Sequence, residues 1–451
     1  MFWSRSSRAA AVGSEAEEEI GREHWPPMSW RWAGVLGLLL AAACFRATQN
    51  MALTTFSLLA HDLLGLGSPA IGGLAAIAAI VTVAVNLGVA SRVPPERSRL
   101  AAAGGIVVML PALMLLGAAR NTLELGLGAV LMGVGGGVVF PALTTAIGRV
   151  EAGARERALA LFTLTLSGSL AVGPLLESGV LGATNQDVRS PFFAFLILPG
   201  LGVCALGLSH WFQSGRVERQ IPGDYAQALD QGVDLAAGVV SGAPVSRWRR
   251  AARPGGAPVA NAGWRAAVTA QLLYSVPFAA ITVFGAVLAR TAFGVTPEQV
   301  QIGFSCFFST SLAARALIVW RAPIVHKLPV LLGSGIITVV GLLLLATGQG
   351  FAMLLVAMGI LGLPHGLTFP IVLAQVAESA APEGLAAANA AMLAVSNSSS
   401  IVVPAVLGLL IPMTGYRGMA LLLLLPVLGF GGLLWWQRGD AAAAGFGQPI
   451  E

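Results

Sequence analysis

The chain has 451 residues, of which 56% are hydrophobic and only 10% are charged, and its formal net charge is +5. Soluble globular domains are about 25% charged, so this composition excludes a water-soluble fold. The apolar stretches do not alternate apolar with polar residues as the strands of a membrane barrel do. The sequence therefore predicts an all-α membrane protein.

Twelve apolar segments follow one another along the chain, with a longer polar stretch after the sixth. Each is long enough to cross a hydrocarbon core about 30 Å thick as a helix. Segments 1 to 12 are predicted at about 33–58, 69–91, 99–119, 122–147, 156–180, 191–213, 264–290, 298–320, 328–348, 351–375, 383–411 and 416–437.

These segments form two predicted six-helix bundles joined by a linker. The N-terminal tail has mixed charge and no apolar core, which indicates a cytoplasmic tail and not a cleaved secretory signal. The linker is rich in Gly, Ala and Pro, which favours a plain tether over a regulatory module. The predicted parts are the N-terminal tail 1–32, the first bundle 33–213, the linker 214–263, the second bundle 264–437 and the C-terminal tail 438–451.

Basic residues concentrate in the loops that follow the even-numbered segments, for example Arg92, Arg149 and Arg321. Loops rich in Arg and Lys stay in the cytoplasm, so both termini are predicted to be cytoplasmic. The richness in Ala, Gly and Arg is typical of a GC-rich bacterial genome, which predicts the bacterial inner membrane. Arginines placed in short loops between apolar segments argue against a nucleic-acid partner.

The two halves of the sequence repeat each other at an offset of 229 residues. "GGVVFPALTTAIGRV" in segment 4 and "HGLTFPIVLAQVAES" in segment 10 share a glycine, a phenylalanine and a proline in register. The same offset pairs Arg92 with Arg321 and, with a slip of one residue, Pro174 with Pro404. Because six helices bring the chain back to the same side, the halves share one orientation and enclose a central cavity.

Three motifs add to this plan. The loops after segments 2 and 8 read "NLGVASRVPPERSR" and "ARALIVWRAPIVHK", and segment 5 contains "SGSLAVGPLLESG". With the six-plus-six plan, they make the region from about 33 to 437 similar to the major facilitator superfamily of transporters. The resemblance implies a twelve-helix fold, a cavity lined by segments 1, 4, 7 and 10, and a monomer. It also implies a cytoplasmic gate at Gly88, Arg92, Arg97, Arg99 and Arg321.

The chain departs from the family pattern at two positions. No aspartate stands beside Arg92, so the charged latch of the gate is partial or uses Glu96. Glu177 stands where the exporters of the family usually have a glycine, which weakens the antiporter interpretation without removing it.

Arg46, midway along segment 1, is the clearest candidate for a binding residue. A charge at the centre of a bilayer costs about 2.5–3.5 kcal/mol on insertion scales, so an arginine at this depth is a functional candidate by default. Gln49 and Asn50 follow at i+3 and i+4 and share its helix face. A guanidinium there suits a carboxylate or phosphate group, and the structural alternative is an arginine that holds helices together.

Other polar residues within the segments are weaker candidates. His365 and Glu177 are candidates for proton coupling, although a hydrogen-bonded neutral histidine and a water-facing glutamate are the plain alternatives. Arg315, in segment 8, is expected to snorkel to the cytoplasmic surface. Further candidates for substrate binding are Gln271, Tyr274, His365 and Asn397, and the prolines expected to bend helices are Pro141, Pro174, Pro370 and Pro404.

The sequence therefore predicts a secondary transporter of a small organic molecule, with proton-coupled efflux as the first choice. The alternatives are proton symport or facilitated uptake of an anionic metabolite, and a transporter-like sensor or accessory subunit. The sequence contains no Ser–His–acid set, nucleotide-binding loop or metal cluster, so we expect no enzyme activity and no cofactor or metal. The expected partners are the substrate, the lipid bilayer and protons.

Overall fold

α-Helices make up almost all of the computed structural model, which describes residues 29–150, 152–214, 262–321, 327–379 and 385–439. Most of the predicted tails and of the linker lie outside these residues. We label the helices after the predicted segments. They are α1 Ser29–Leu58, α2 Ser68–Gly88, α3 Ser98–Ala118, α4 Thr122–Gly148, α5 Ala152–Ala183, α6 Ser190–Ala194 with Ile197–Ser214, α7 Ala262–Phe293, α8 Pro297–Arg321, α9 Lys327–Thr347, α10 Gly350–Ser379, α11 Leu385–Leu422 and α12 Leu424–Trp436.

The predicted all-α membrane fold is confirmed, and the count of twelve crossings is confirmed only in part. Ten described segments are long and apolar enough to cross a membrane. Helix α8 is not among them because it is more polar. The span Ala391–Trp436 has 46 residues, about 70 Å of helix, which is enough for two crossings. It contains a break at Gly415, whose φ of 69° is left-handed.

Two helix boundaries differ from the prediction for physical reasons. α1 begins at Ser29, within the predicted tail, because polar residues extend a helix beyond the apolar run. α11 continues past the predicted end of segment 11, since the chain turns only at Gly415 and becomes helical again directly after it.

The helices of each half pack closely through a pair of glycines four residues apart. A Cβ atom on Gly133 would lie 2.7 Å from the carbonyl oxygen of Ala78, and one on Gly137 would lie 2.7 Å from that of Thr82. Only a residue without a side chain allows α4 to approach the backbone of α2 this closely.

The same contact recurs in the second half, 229 positions later. Gly362 and Gly366 of α10 lie against the carbonyl oxygens of Phe307 and Ser311 of α8. All four residues follow their counterparts in α2 and α4 by the same offset, so the repeat in sequence is also a repeat in packing.

Arginines at the predicted outer side repeat as well, with a slip of one residue. Arg189 donates to the carbonyl oxygens of Gly117 and Ala119 at 3.1 and 2.9 Å. Arg417 donates at 2.9 Å to the carbonyl oxygens of Ala346 and Gly348. These two carbonyls lie at the C-terminal end of α9, as the two bound by Arg189 lie at the C-terminal end of α3. These cations satisfy free carbonyls at helix C-termini, which explains why arginine occurs on the side with few basic residues.

The two halves meet mainly toward the predicted outer side. Ser68 of α2 donates to the carbonyl oxygen of Gly408 in α11 at 3.0 Å. Ser305 of α8 donates to that of Ala171 in α5 at 2.7 Å. These two seams place a central cavity between the halves.

Candidate functional site

A cavity of about 380 Å³ lies between the two halves. The first half contributes α1, α2 and α4 with single residues of α3 and α5, and the second half contributes α7, α8 and α11. Most of the wall consists of alanine, leucine, valine, methionine and phenylalanine. The polar residues that line it are Arg46, Gln49, Asn50, Thr82, Thr282, Asn397 and Ser400.

Helix α1 presents one face to this cavity. Arg46, Gln49, Asn50, Leu53 and Phe56 all line it, and their spacing of three or four residues places them on one side of the helix. Arg46 Nη1 donates to Gln49 Oε1 at 2.7 Å. The buried Asn50 donates from Nδ2 to the carbonyl oxygen of Leu170 at 3.3 Å, which fixes α1 against α5. The predicted polar face therefore faces the cavity.

Arg315 lies near this site and does not snorkel as the sequence analysis expects. Its Nη1 donates to Ser167 Oγ of α5 at 2.8 Å, across the boundary between the halves. Its Nε is buried and has no hydrogen-bond partner among the described residues. Arg46 and Arg315 lie within electrostatic range of each other, so two cations share the centre of the protein.

His365 and Tyr274 form a pair beside the cavity. The Tyr274 hydroxyl contacts His365 Nδ1, and His365 Nε2 has no hydrogen-bond partner among the described residues. The imidazole stacks on Phe278 with ring centroids 4.3 Å apart, and Phe307 and Phe308 pack around it at 5.3 and 5.9 Å. The structure thus brings His365 and Tyr274 together behind an aromatic wall, of which Phe278 and Phe308 face the cavity.

Gln271 lies away from the cavity wall. Its side chain is fully buried in α7, and neither of its amide atoms has a partner among the described residues. Gln301 of α8, which the sequence analysis does not single out, is buried and unpartnered in the same way. A substrate role for Gln271 stays a prediction, and it requires a rearrangement that exposes the amide.

Glu177 is fully buried in α5, which removes the water-facing alternative. Thr55 of α1 contacts its Oε1, and Thr54 donates to its Oε2 at 3.4 Å. In the part of the chain that the structure describes, no basic side chain pairs with this carboxyl group. It therefore lies between α1 and α5 with only hydroxyl partners.

Comparisons with known proteins follow the same architecture. A model described as Major Facilitator Superfamily matches residues 267–449. The peptide transporter POT superposes with a TM-score of 0.69 at 11% identity, over 91% of this chain and 95% of that chain. A bacterial homologue of the human lysosomal transporter Spinster, inward-facing and unoccupied, gives a TM-score of 0.65 at 11% identity, over 93% and 97%.

The nucleoside transporter NupG gives a TM-score of 0.64 at 13% identity, over 91% of this chain and 99% of that chain. No curated protein sequence matches the chain. The chain has the major facilitator superfamily fold. The resemblance drawn from the sequence is therefore confirmed for the fold, and the family model itself matches the second half.

In this major facilitator fold, the predicted gate residues lie in and beside the loops after α2 and α8. Arg92, Arg97 and Arg321 are exposed, while Gly88 and Arg99 are half-buried. Glu96 pairs with Arg149 at 3.1 Å, a contact inside the first half and not between the halves. Their role in a gate stays a prediction.

The four predicted prolines all lie inside helices of the fold: Pro141 in α4, Pro174 in α5, Pro370 in α10 and Pro404 in α11. The carbonyl oxygen of Pro404 lies against Gly72 of α2, so this proline is also part of the seam between the halves. That the prolines bend their helices stays a prediction.

The sequence analysis does not identify the aromatic wall or the role of Ser167. Phe278 and Phe308 lie in apolar helices. In the sequence of such a helix, a phenylalanine that faces a cavity cannot be distinguished from one that faces lipid. Ser167 is separated from Arg315 by 148 residues, and no local motif connects them. Their only signal in the sequence is that α5, α7 and α8 belong to facing halves.

Proposed function

We propose that the chain is a secondary transporter that moves a small organic molecule across the membrane by alternating access. Proton-coupled efflux is the first choice. The observation that carries the proposal is the cavity between the halves. Contacts between the halves on the predicted outer side separate this cavity from that side of the membrane. Two bundles that rock about such a cavity expose it to one side at a time.

Two polar contacts support closure on the outer side. Arg290 Nε at the end of α7 donates to Asp62 Oδ2 after α1, at 3.1 Å. Gln186 and Glu298 exchange two hydrogen bonds of 3.0 and 2.9 Å between the halves. The described ion pairs near the opposite side, including Lys327 with Glu378, each stay within one half. We therefore interpret the structure as an inward-facing state.

Glu177 is the proposed proton-binding residue. An ionised carboxylate without a cation is costly to bury, so the carboxyl group carries its proton while α1 and α5 enclose it. Rocking of the halves that exposes Glu177 to water would release the proton. His365 is the second candidate, and its buried imidazole in an aromatic cluster favours a structural role in this state.

The remaining assignments rest on the sequence. The sequence contains no nucleotide-binding loop, so transport is driven by an ion gradient or by the substrate's own gradient. We place the protein in the bacterial inner membrane with both termini in the cytoplasm, acting as a monomer without enzyme activity. The similar structures include peptide and nucleoside transporters, which supports a small-molecule substrate.

Uptake of an anionic metabolite is the second candidate function, and Arg46 in the cavity wall is the observation that favours it. A sensor or accessory subunit is the alternative from another class. It shares the cavity but carries no substrate across the membrane.

Reconstitution into sealed liposomes tests the proposal. Liposomes receive labelled substrate and a pH gradient imposed in one direction or the other. One of these gradients should drive the substrate to accumulate inside the liposomes, and the direction of that gradient distinguishes antiport from symport. Ligand binding by detergent-purified protein without any movement into or out of liposomes would instead identify a sensor.

A further inference from the structure

The charge around the cavity is unbalanced. Arg46 lines it and Arg315 lies within electrostatic range, but the hydrogen-bond partners described for their guanidinium groups are the neutral side chains of Gln49 and Ser167. No Asp or Glu is among the described residues that line the cavity. Among the described residues, neither arginine forms an ion pair, and Arg315 Nε has no hydrogen-bond partner at all.

Two neighbouring cations at membrane depth require a counter-charge. Charged side chains inside the membrane usually pair with an opposite charge or with backbone carbonyls. Here the described residues of the chain provide neither for these two guanidinium groups. The N–H donors of Arg46 and Arg315 that have no described partner suit the two oxygens of a carboxylate. Guanidinium groups bind carboxylates in a planar, bidentate manner.

The second half contributes aromatic rings to the cavity wall, Phe278 from α7 and Phe308 from α8. Phe278 stacks on both Tyr274 and His365, with centroid distances of 5.6 and 4.3 Å. Phe307 packs edge-on against Phe308 at 5.1 Å, which fixes the orientation of the second cavity-facing ring. A rigid aromatic wall binds a flat ring better than a flexible aliphatic chain, because ring pairs gain from stacked and edge-on contacts.

We propose that the cavity binds an aromatic carboxylate, with its carboxylate between Arg46 and Arg315 and its ring against Phe278 and Phe308. This inference rests on the proposed function and names the substrate class for the same site. The cavity volume of about 380 Å³ suits a molecule with one or two fused rings. Binding to Arg315 would compete with Ser167 and thereby connect the ligand to the contact between α5 and α8.

The test compares four probes of similar size on the detergent-purified protein. They are 1-naphthoate, its saturated analogue decahydro-1-naphthoate, 1-naphthamide and 1-naphthylmethylamine, and the measurements are calorimetric titration and the shift of melting temperature. We expect 1-naphthoate to bind tightest of the four. Equal or tighter binding of decahydro-1-naphthoate, the amide or the amine overturns the proposal, and so does the absence of binding by all four.

Variants locate the site. Arg46→Lys and Arg315→Lys should each weaken 1-naphthoate binding by about tenfold or more, because a lysine cannot form the bidentate contact. Arg120→Lys, at an exposed position outside the cavity, is the matched control and should bind as the wild type does. Phe308→Leu should weaken 1-naphthoate binding by about fivefold while leaving the binding of decahydro-1-naphthoate unchanged. Unchanged 1-naphthoate binding in both lysine variants overturns the proposal.

Melting of each variant without ligand shows whether it is folded. If a lysine variant does not fold, the order of the four probes on the wild type decides the question. Transport in liposomes separates this inference from the proposed function. If 1-naphthoate binds but is not transported, the proposed transport function is contradicted and the proposed binding site stands. If only neutral or cationic compounds are transported, the proposed binding site is contradicted and the transport function stands.

Discussion

Arg315 Nη1 of α8 donates a hydrogen bond of 2.8 Å to Ser167 Oγ of α5, and this contact joins the two halves of the chain. The serine hydroxyl itself donates to the carbonyl oxygen of Thr163 at 2.9 Å, which leaves its lone pairs directed at the guanidinium. At the proposed site, a carboxylate that draws the guanidinium of Arg315 toward Arg46 competes with this bond to Ser167.

Ser167→Ala should separate these two roles of Arg315. Without its serine partner, the ligand-free protein should melt at a lower temperature, because a hydrogen bond to a charged group contributes about 1.5–3 kcal/mol. The affinity for 1-naphthoate should rise by up to about tenfold, since no existing bond has to break. Ser169→Ala is the control, because Ser169 bonds only to its own helix at Thr165. Equal behaviour of the two variants would contradict the competition.

Glu177→Gln should remove proton coupling and leave the fold intact. Glutamine has the same shape as the protonated glutamate, so the contacts with Thr54 and Thr55 remain and the melting temperature should not fall. A pH gradient should no longer drive accumulation in liposomes, while exchange of labelled for unlabelled substrate continues.

The control for this experiment is Glu124→Gln. Glu124 is half-buried at the start of α4, where it accepts from the backbone nitrogen of Arg120 at 2.7 Å. This variant should keep accumulation driven by the pH gradient. If Glu177→Gln also keeps it, then Glu177 does not carry the proton.

Asp62→Asn should shift the protein toward an outward-open state by breaking the ion pair with Arg290. Both side chains are partly exposed, at 20% and 32%, and such pairs contribute about 0.2–1 kcal/mol. The shift in population should therefore be about 1.4- to fivefold. Spin labels on Leu123→Cys and Met413→Cys, in a background without native cysteines, report the width of the outer side.

The exchanged pair Asp62→Arg with Arg290→Asp should restore the wild-type distance distribution, because the attraction is re-formed with its charges reversed. Asp187→Asn is the control, since Asp187 contacts only its own loop at Arg189 and Ser190. A distribution that stays unchanged in Asp62→Asn would show that the ion pair does not hold the outer side closed.

Gly362→Ala should destabilise the protein, because the new methyl group would meet the carbonyl oxygen of Phe307. Overpacking of this kind costs about 1–3 kcal/mol, which should appear as a lower melting temperature in detergent. Gly333→Ala in α9 is the matched change, since nothing lies within 4 Å of its added Cβ. It should be neutral or stabilise by up to about 1 kcal/mol through helix propensity.

The sequence predicts the helices well because their signal is local. Long apolar runs end at polar or charged residues, so α4 is predicted within one residue of the observed Thr122–Gly148. Arg46, Gln49 and Asn50 are also predictable as one face, since their spacing follows the helical period. The predicted break between segments 11 and 12 coincides with the kink at Gly415, where the positive φ of a glycine interrupts the helix.

The rest of the site depends on contacts that a single segment does not encode. Arg315 has the same local pattern as a snorkelling arginine, and only the opposing Ser167 shows that it points inward. Phe278 and Phe308 are likewise defined by what faces them. Burial of Glu177 follows from the two threonines of α1, which lie more than 120 residues away in sequence.

The offset of 229 residues divides the protein into matched and unmatched positions. The glycines of α4 and α10 have counterparts in the other half, as do the carbonyls held by Arg189 and Arg417. The charged and titratable side chains in and near the cavity do not, since Arg46 corresponds to Ser275, Arg315 to Asn86 and His365 to Gly136. The scaffold is therefore close to twofold symmetric while the chemistry at its centre is not, so a molecule in the cavity would meet a different surface on each half.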